Sequence, residues 1–324
     1  VREGAVAGPI YDIAGKRVWV AGHPGMVGQA LVRRLARENC ELLTVARDEV
    51  DLTRQGDVER WMREVRPHAV FMAAAKVGGI AANQRLPADF LYDNLAISAN
   101  VIHAAHACGV EKLLYLGSSC VYPRLSAQPI SEDALLAGPL EPTNEWYAVA
   151  KIAGIKLAQA YRAQHGRDFI SAMPTNLYGP FDNFDPETSH VLPALIRKAH
   201  EAKLRGDTSL AIWGSGTPRR EFLHVDDCAD ALVHVMRHYS DASPINIGVG
   251  DDLTIADLAR LVARTAGFTG AIVHDTSKPD GTPRKLLDVS RLAALGWRAS
   301  MPLERGIAET YRWFVEYVDI AGRG

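Results

Sequence analysis

The chain has 324 residues, 48% of them hydrophobic, and a formal net charge of −2. That size and composition suit a soluble globular protein with a large core and room for a second lobe, while so even a charge balance gives no general attraction for nucleic acid or a membrane surface. The longest apolar run, AVFMAAA at 69–75, is far too short to span a bilayer.

The opening VREGAVAGPIYDIAGKR lacks the apolar centre of a secretion signal and reads as a loose extension. KRVWVAG (16–22) is a β-rich run ending in glycine, and ELLTVA (41–46), AVFMAAA (69–75), KLLYLGS (112–118) and FISAMPTN (169–176) repeat the theme. Between the second and third runs Val58, Trp61, Met62 and Val65 fall at i, i+3, i+4 and i+7, the stripe of an amphipathic helix. Continuous apolar strands separated by such helices predict an α/β protein whose parallel sheet is covered on both faces. The pattern loosens over 178–220, which is rich in Pro, Gly and Asn. EFLHV and a helix beginning near Asp226 restore it, and helical stretches at 254–266 and 303–317 close the chain. The expected organisation is a nucleotide-binding domain over 13–177, to which 221–248 returns, and a smaller lobe from 178–220 and 249–324. Cys40, Cys108, Cys120 and Cys228 form no CxxC pair and have no histidine at metal spacing, so reduced thiols in a cytoplasm and no metal are expected.

The first β run enters Gly22-His23-Pro24-Gly25-Met26-Val27-Gly28 and then the helical ALVRRLAR. A spaced-glycine pattern is weak alone, but at the first strand-to-helix turn it lets backbone approach a pyrophosphate at a helix N-terminus. The end of the second strand then selects the cofactor: an acid for the ribose of NAD, a base for the 2′-phosphate of NADP. Arg47 stands there, although a solvated surface arginine would read the same way. Further on, Tyr147 and Lys151 are four apart and share one helix face. A ketone that accepts hydride needs a proton in the same event. An ammonium beside a phenol would lower the phenol's pKa, and Ser118 at a strand end could hold the carbonyl against it.

The blocks AGHPGMVG, AAAKVGGI, LGSSCVYP, EPTNEWYAVAKIAGIK, MPTNLYGPFDNF, WGSGTPRREFLHVDD and SKPDGTPRKLLDV together resemble the extended short-chain dehydrogenase/reductase family, and within it the enzymes that epimerise and then reduce a GDP-bound 4-keto sugar. The resemblance runs from about residue 16 onward. It implies a Rossmann-type doubly wound sheet with a smaller C-terminal substrate-binding lobe, a homodimer and NADPH as reductant. The implied activity is 3,5-epimerisation and 4-reduction of GDP-4-keto-6-deoxy-D-mannose to GDP-L-fucose. A related reductase of GDP-colitose type shares the same machinery, and a non-catalytic NADP-binding sensor is the reading from another class. A 4,6-dehydratase would place an acidic pair where Ser119-Cys120 stands.

By the same resemblance Ser118, Tyr147 and Lys151 carry the reduction and Cys120 and His190 the epimerisation. A ketone at C4 acidifies the protons on both C3 and C5, and inverting those carbons takes an acid and a base. Alone, Cys120 would read as core filler and His190 as a capping or packing residue. Cofactor contacts are implied for Gly22 to Gly28, for Arg47, for Leu116, Gly117, Ser118 and Ser119, for Lys151 and His190, and for Pro174, Thr175, Asn176 and Leu177. Substrate contacts are implied for Lys198, Trp213, Arg220 and Asp280, against simpler readings of Trp213 as core and of Arg220 as paired with Glu221 or a nearby aspartate. The family usually carries arginine where this chain has Pro24, which leaves Arg47 to read the 2′-phosphate.

Overall fold

The computed structural model describes residues 8–278 and 280–319. The first seven residues of the expected extension and the last five of the expected lobe lie outside them. The described part of the extension is not loose. The Ile10 and Tyr11 amides donate to the Arg237 carbonyl, the Tyr11 hydroxyl donates to Glu111 at 2.9 Å, and Ile13 is buried. A short polar-looking stretch is anchored here by apolar side chains that find a partner only in the folded chain.

Six parallel strands form the central sheet: β1 (Arg17–Ala21), β2 (Glu41–Leu43), β3 (Ala69–Met72), β4 (Lys112–Leu116), β5 (Asp168–Pro174) and, after four short strands, β10 (Ile245–Ile247). Their order is β10-β5-β4-β3-β1-β2, that of a Rossmann-type doubly wound sheet. Alternation along each strand explains the continuous apolar runs. Val18, Val20, Phe71 and Leu114 face one core, while Trp19, Ala21, Val70, Met72 and Tyr115 face the other. The first core is closed by α1 (Met26–Leu35) and α7 (Val225–His238), the second by α2 (Gln55–Val65), α4 (Pro87–Ala107) and α5 (Glu145–His165). Val58 and Met62 of the predicted stripe are fully buried. β2 and β3 end earlier than their apolar runs. Beyond Met72 the chain leaves the ladder, and Ala73 to Val77 become a cavity wall.

A third core gathers Tyr178, Phe184, Leu192, Ile196, Ile212, Leu258, Val262 and Phe314. It joins α6 (Val191–Arg205), α8 (Ile255–Ala266) and α10 (Leu303–Phe314), flanked by the paired strands β7 (Ser209–Trp213) and β12 (Ala271–Asp275). α6 is a full helix inside the segment expected to be loose. Its signal is the spacing of Leu192, Leu195, Ile196 and Ala199, overshadowed by the Pro, Gly and Asn before it. A small sheet pairs β8 (Arg219–Arg220) with β11 (Leu253–Thr254) and β13 (Arg284–Lys285). Glu221 ties this sheet to the central one. Its buried carboxylate accepts from the amides of Val249 at 2.6 Å, Gly250 at 2.8 Å and Leu287 at 3.0 Å.

Candidate active site

A cavity of about 650 Å³ opens at the C-terminal ends of β1, β3, β4 and β5, where an open α/β sheet of this order binds its ligands. Two glycines make its floor. Gly22 has φ +89°, and a Cβ there would stand 2.6 Å from the Ala74 Cα; a Cβ on Gly28 would stand 2.2 Å from the Gly22 carbonyl oxygen. Gly25 caps α1 without a side-chain bond, and the first turn carries no acid, so the helix presents free N–H groups and its positive end to the cavity. That cradle fits a dinucleotide diphosphate. Every other residue expected to touch the cofactor lines the cavity: Pro24, Met26, Val27, Arg47, Leu116, Gly117, Ser118, Ser119, Lys151, Pro174, Thr175, Asn176, Leu177 and His190. His23 alone does not. Arg47 is exposed and without an ion pair among the described residues. Beside it stand Asp51 and Leu52, which the sequence reading missed. The Thr53 hydroxyl and amide, more than Arg47, hold the Asp51 carboxyl below the usual range. Ala73 to Val77 were missed as well, because nothing local distinguishes a strand continuing from one that has turned into a wall.

Tyr147, Lys151 and Ser118 meet at one end of the cavity. Lys151 is 2% exposed and donates to the Leu116 carbonyl at 2.8 Å; its ammonium lies 5.0 Å from the Tyr115 ring centroid and 5.9 Å from that of Tyr147. The Ser118 hydroxyl stands on the phenol's side of the cavity. The expected depression of the phenol is not what this geometry produces. Burial pushes Tyr147 up, with Cys120 and Tyr115 adding to it and Ser118 opposing, while burial alone pulls Lys151 down to about 7. Both groups sit in a low-dielectric pocket, so each favours its neutral form. Near neutral pH the lysine is only partly charged and the phenol keeps its proton, which is the state a proton donor needs.

Cys120 lies on the 3₁₀ turn Ser119–Val121, whose N-cap Ser118 accepts from the Cys120 amide at 3.3 Å. It is half-buried. The Asn144 side-chain amide donates to Cys120 Sγ at 3.2 Å instead of capping α5, and the Lys285 ammonium stands 3.9 Å from the same sulfur. His190 occupies the N-cap position of α6 but makes no capping bond; its ring belongs to the cavity wall. Although His190 is solvent-exposed, partial desolvation at the cavity wall, and then the Lys285 charge, hold it below the usual histidine range.

The model for the NAD dependent epimerase/dehydratase family matches residues 18–248. The chain belongs to this family. Among its relatives, the GDP-L-fucose synthase of Sinorhizobium fredii is 62% identical over 96% of this chain and 99% of its own length. That of Escherichia coli is 54% identical over 94% and 98%. The crystal structure of a GDP-L-fucose synthetase from Naegleria fowleri bound to NADP superposes with a TM-score of 0.88, at 31% identity, covering 96% of this chain and 98% of that one.

In this epimerase/dehydratase-family chain Lys198, Trp213, Arg220 and Asp280 lie outside the cavity wall. Trp213 is 56% exposed, which removes the core reading, and its ring lies 5.5 Å from the Lys198 ammonium and 5.6 Å from that of Lys278. Asp280 accepts from the Ser215 amide at 2.9 Å and hydroxyl at 2.7 Å, securing the turn after Trp213. Arg220 is not paired with Glu221, whose oxygens are taken by backbone amides, nor with Asp252, which takes Arg219 and Arg284. Its guanidinium donates to the Arg219 carbonyl and faces Cys120 and Glu141. Burial holds it below the usual arginine range against those two groups. Sequence reasoning missed Asn144, Lys278 and Lys285. Each stands inside a block that carries the resemblance, with no spacing that sets it apart.

Proposed function

We propose that this protein makes GDP-L-fucose, by 3,5-epimerisation of GDP-4-keto-6-deoxy-D-mannose and NADPH-dependent reduction at C4. The observation that carries the reading is one cavity walled by both a phenol–lysine–serine group and a thiol with an imidazole. A reductase alone has no use for the second pair. The near full-length likeness to GDP-L-fucose synthases supports the substrate.

In this reading the Gly22 to Gly28 loop and the start of α1 hold the cofactor diphosphate and Arg47 holds the 2′-phosphate. Leu116 to Ser119, Lys151 and Pro174 to Leu177 shape the nicotinamide end. NADPH supplies the hydride. Ser118 and Tyr147 donate hydrogen bonds to the C4 carbonyl oxygen. The same contacts then serve both half-reactions, since an enolate and an alkoxide each place negative charge on that oxygen. Cys120 and His190 exchange protons with C3 and C5 during epimerisation. Tyr147 then passes its proton to the C4 oxygen during reduction, and Lys151 beneath it stabilises the charge left behind.

The substrate lobe in this reading comes from 178–220 and the described part of 249–319, although Leu287, Leu292 and Trp297 within it pack into the cores of the central sheet. Trp213 offers a stacking face to guanine and the Arg220 fork suits the diphosphate; Lys198 and Asp280 complete the nucleotide contacts. We place the protein in the cytoplasm, in keeping with its free cysteines, and as a homodimer. α4 and α5, 21 residues each, pack side by side and leave Tyr92, Trp146 and Val149 exposed; light scattering at micromolar protein tests the assembly. The activity test is incubation with GDP-4-keto-6-deoxy-D-mannose and NADPH, with the product identified by NMR. A C4-reduced sugar with C3 and C5 unchanged would overturn the bifunctional reading.

A further inference from the structure

We propose that Lys285 is a positioning residue of the epimerisation site, the counter-charge to the thiolate that Cys120 presents at one end of its proton transfer. The inference rests on the reading of Cys120 as an acid–base group.

Lys285 is not a loose surface lysine. It sits on β13 with Cα register Arg284↔Arg219 and Lys285↔Arg220. The next two amides are tied down, Leu286 to the Gln128 side chain at 2.9 Å and Leu287 to Glu221 at 3.0 Å. Arg284 before it is bonded to buried Asp252 at 2.6 Å. With the backbone fixed on both sides, the half-buried side chain reaches Cys120 Sγ at 3.9 Å, and it has no carboxylate partner among the described residues. The other groups facing Cys120 are the Asn144 amide, the Tyr147 phenol and the Arg220 guanidinium, with Glu141 beyond Arg220; His190 faces Lys285. Asn144 and Arg220 add to the stabilisation of a negative sulfur, while Tyr147 supplies no positive charge.

Whichever way the proton moves, a thiolate stands at one end of the step. In one direction the C–H electron pair becomes the enolate as sulfur gains the proton; in the other, sulfur loses the proton to carbon. A fixed ammonium at this distance favours the thiolate in both cases, and in a partly desolvated site its removal should lower the thiolate fraction by on the order of tenfold.

The test uses Lys285→Met and Lys285→Arg in the full chain. Alkylation of Cys120 by iodoacetamide is followed by peptide mass across pH 6 to 9, with Cys40 and Cys108 as controls and buried Cys228 as the reporter of unfolding. Solvent deuterium incorporation into the keto sugar is measured separately without NADPH. The Met variant should alkylate Cys120 about tenfold more slowly at pH 7, with the midpoint of its pH curve moved upward. Deuterium exchange should fall in parallel, and the Arg variant should restore most of both. Should the Met variant expose Cys228, Lys285→Gln takes its place. An unchanged Cys120 curve in the folded variant would overturn the proposal even if turnover fell. Because alkylation needs neither sugar nor cofactor, it judges Lys285 independently of the proposed activity.

Discussion

Replacing Lys151 by methionine should stabilise the protein while removing its catalysis, and the stabilisation should fade as pH rises. Lys151 is 2% exposed, has one hydrogen bond, to the Leu116 carbonyl, and no carboxylate partner among the described residues. Burial holds it at about 7 in the folded chain, whereas an unfolded lysine titrates near ~10.4. Between those values the unfolded chain binds more protons, so folded stability rises with pH across that window. Below the folded pKa the cost of charging a buried amine is fully present; above the unfolded one it is gone. A difference of roughly three units gives an upper limit of ~4–5 kcal/mol, and relaxation and water penetration reduce it to about 2 kcal/mol. Methionine keeps the length and flexibility of the stem without the charge. The assay is urea unfolding of parent and variant at pH 6.5 and 9.5. We expect the variant to be more stable by about 2 kcal/mol at the lower pH and by roughly a third of that at the higher one, with reduction slowed at least ~100-fold. Equal differences at both pH values, or a destabilised variant at pH 6.5, would refute the reasoning from burial.

Tyr147→Phe should stop reduction yet leave solvent deuterium exchange at C3 or C5 slowed but measurable, because Ser118 still holds the C4 oxygen, and Cys120→Ser should stop the exchange while NADPH binding survives; NMR of the recovered sugar distinguishes them. In the proposed site Arg47 holds the 2′-phosphate, and a charge-assisted contact of that kind is worth ~1.5–3 kcal/mol. The parent should therefore prefer NADPH while still using NADH, Pro24→Arg should sharpen the preference, and Arg47→Ala should largely erase it; kcat/KM with both cofactors at fixed ionic strength reads this directly. Gly28→Ala would set its Cβ 2.2 Å from the Gly22 carbonyl oxygen. The loop must open, so NADPH binding by fluorescence should weaken at least tenfold, with a loss of about 1–3 kcal/mol in stability.

Features set by short-range pattern are legible in the amino-acid sequence alone. Apolar runs mark the first five central strands, because β1, β3, β4 and β5 are buried on both faces and only the edge strand β2 is partly exposed. The glycines at 22, 25 and 28 mark the cradle, and at 22 and 28 only glycine tolerates the turn and the close approach. Tyr147 and Lys151 share a helix face by their spacing, and Ser118 stands at a strand end with Cys120 two residues on. Tertiary structure alone decides the rest. β10 joins the sheet edge beside β5 after 178–220 has left it, and Ile13 anchors a stretch that looks loose by itself. Lys285 reaches Cys120 across 165 residues of sequence, and Asn144 across 24. Even the charge logic of the Tyr147–Lys151 pair changes. Spacing correctly places the two on one face, but the expected stabilised phenolate gives way to a neutral phenol above a weakened ammonium. Periodicity records which side of a strand or helix turns inward. Desolvation and Coulomb energy depend on which distant segments close over that side, and no local pattern contains them.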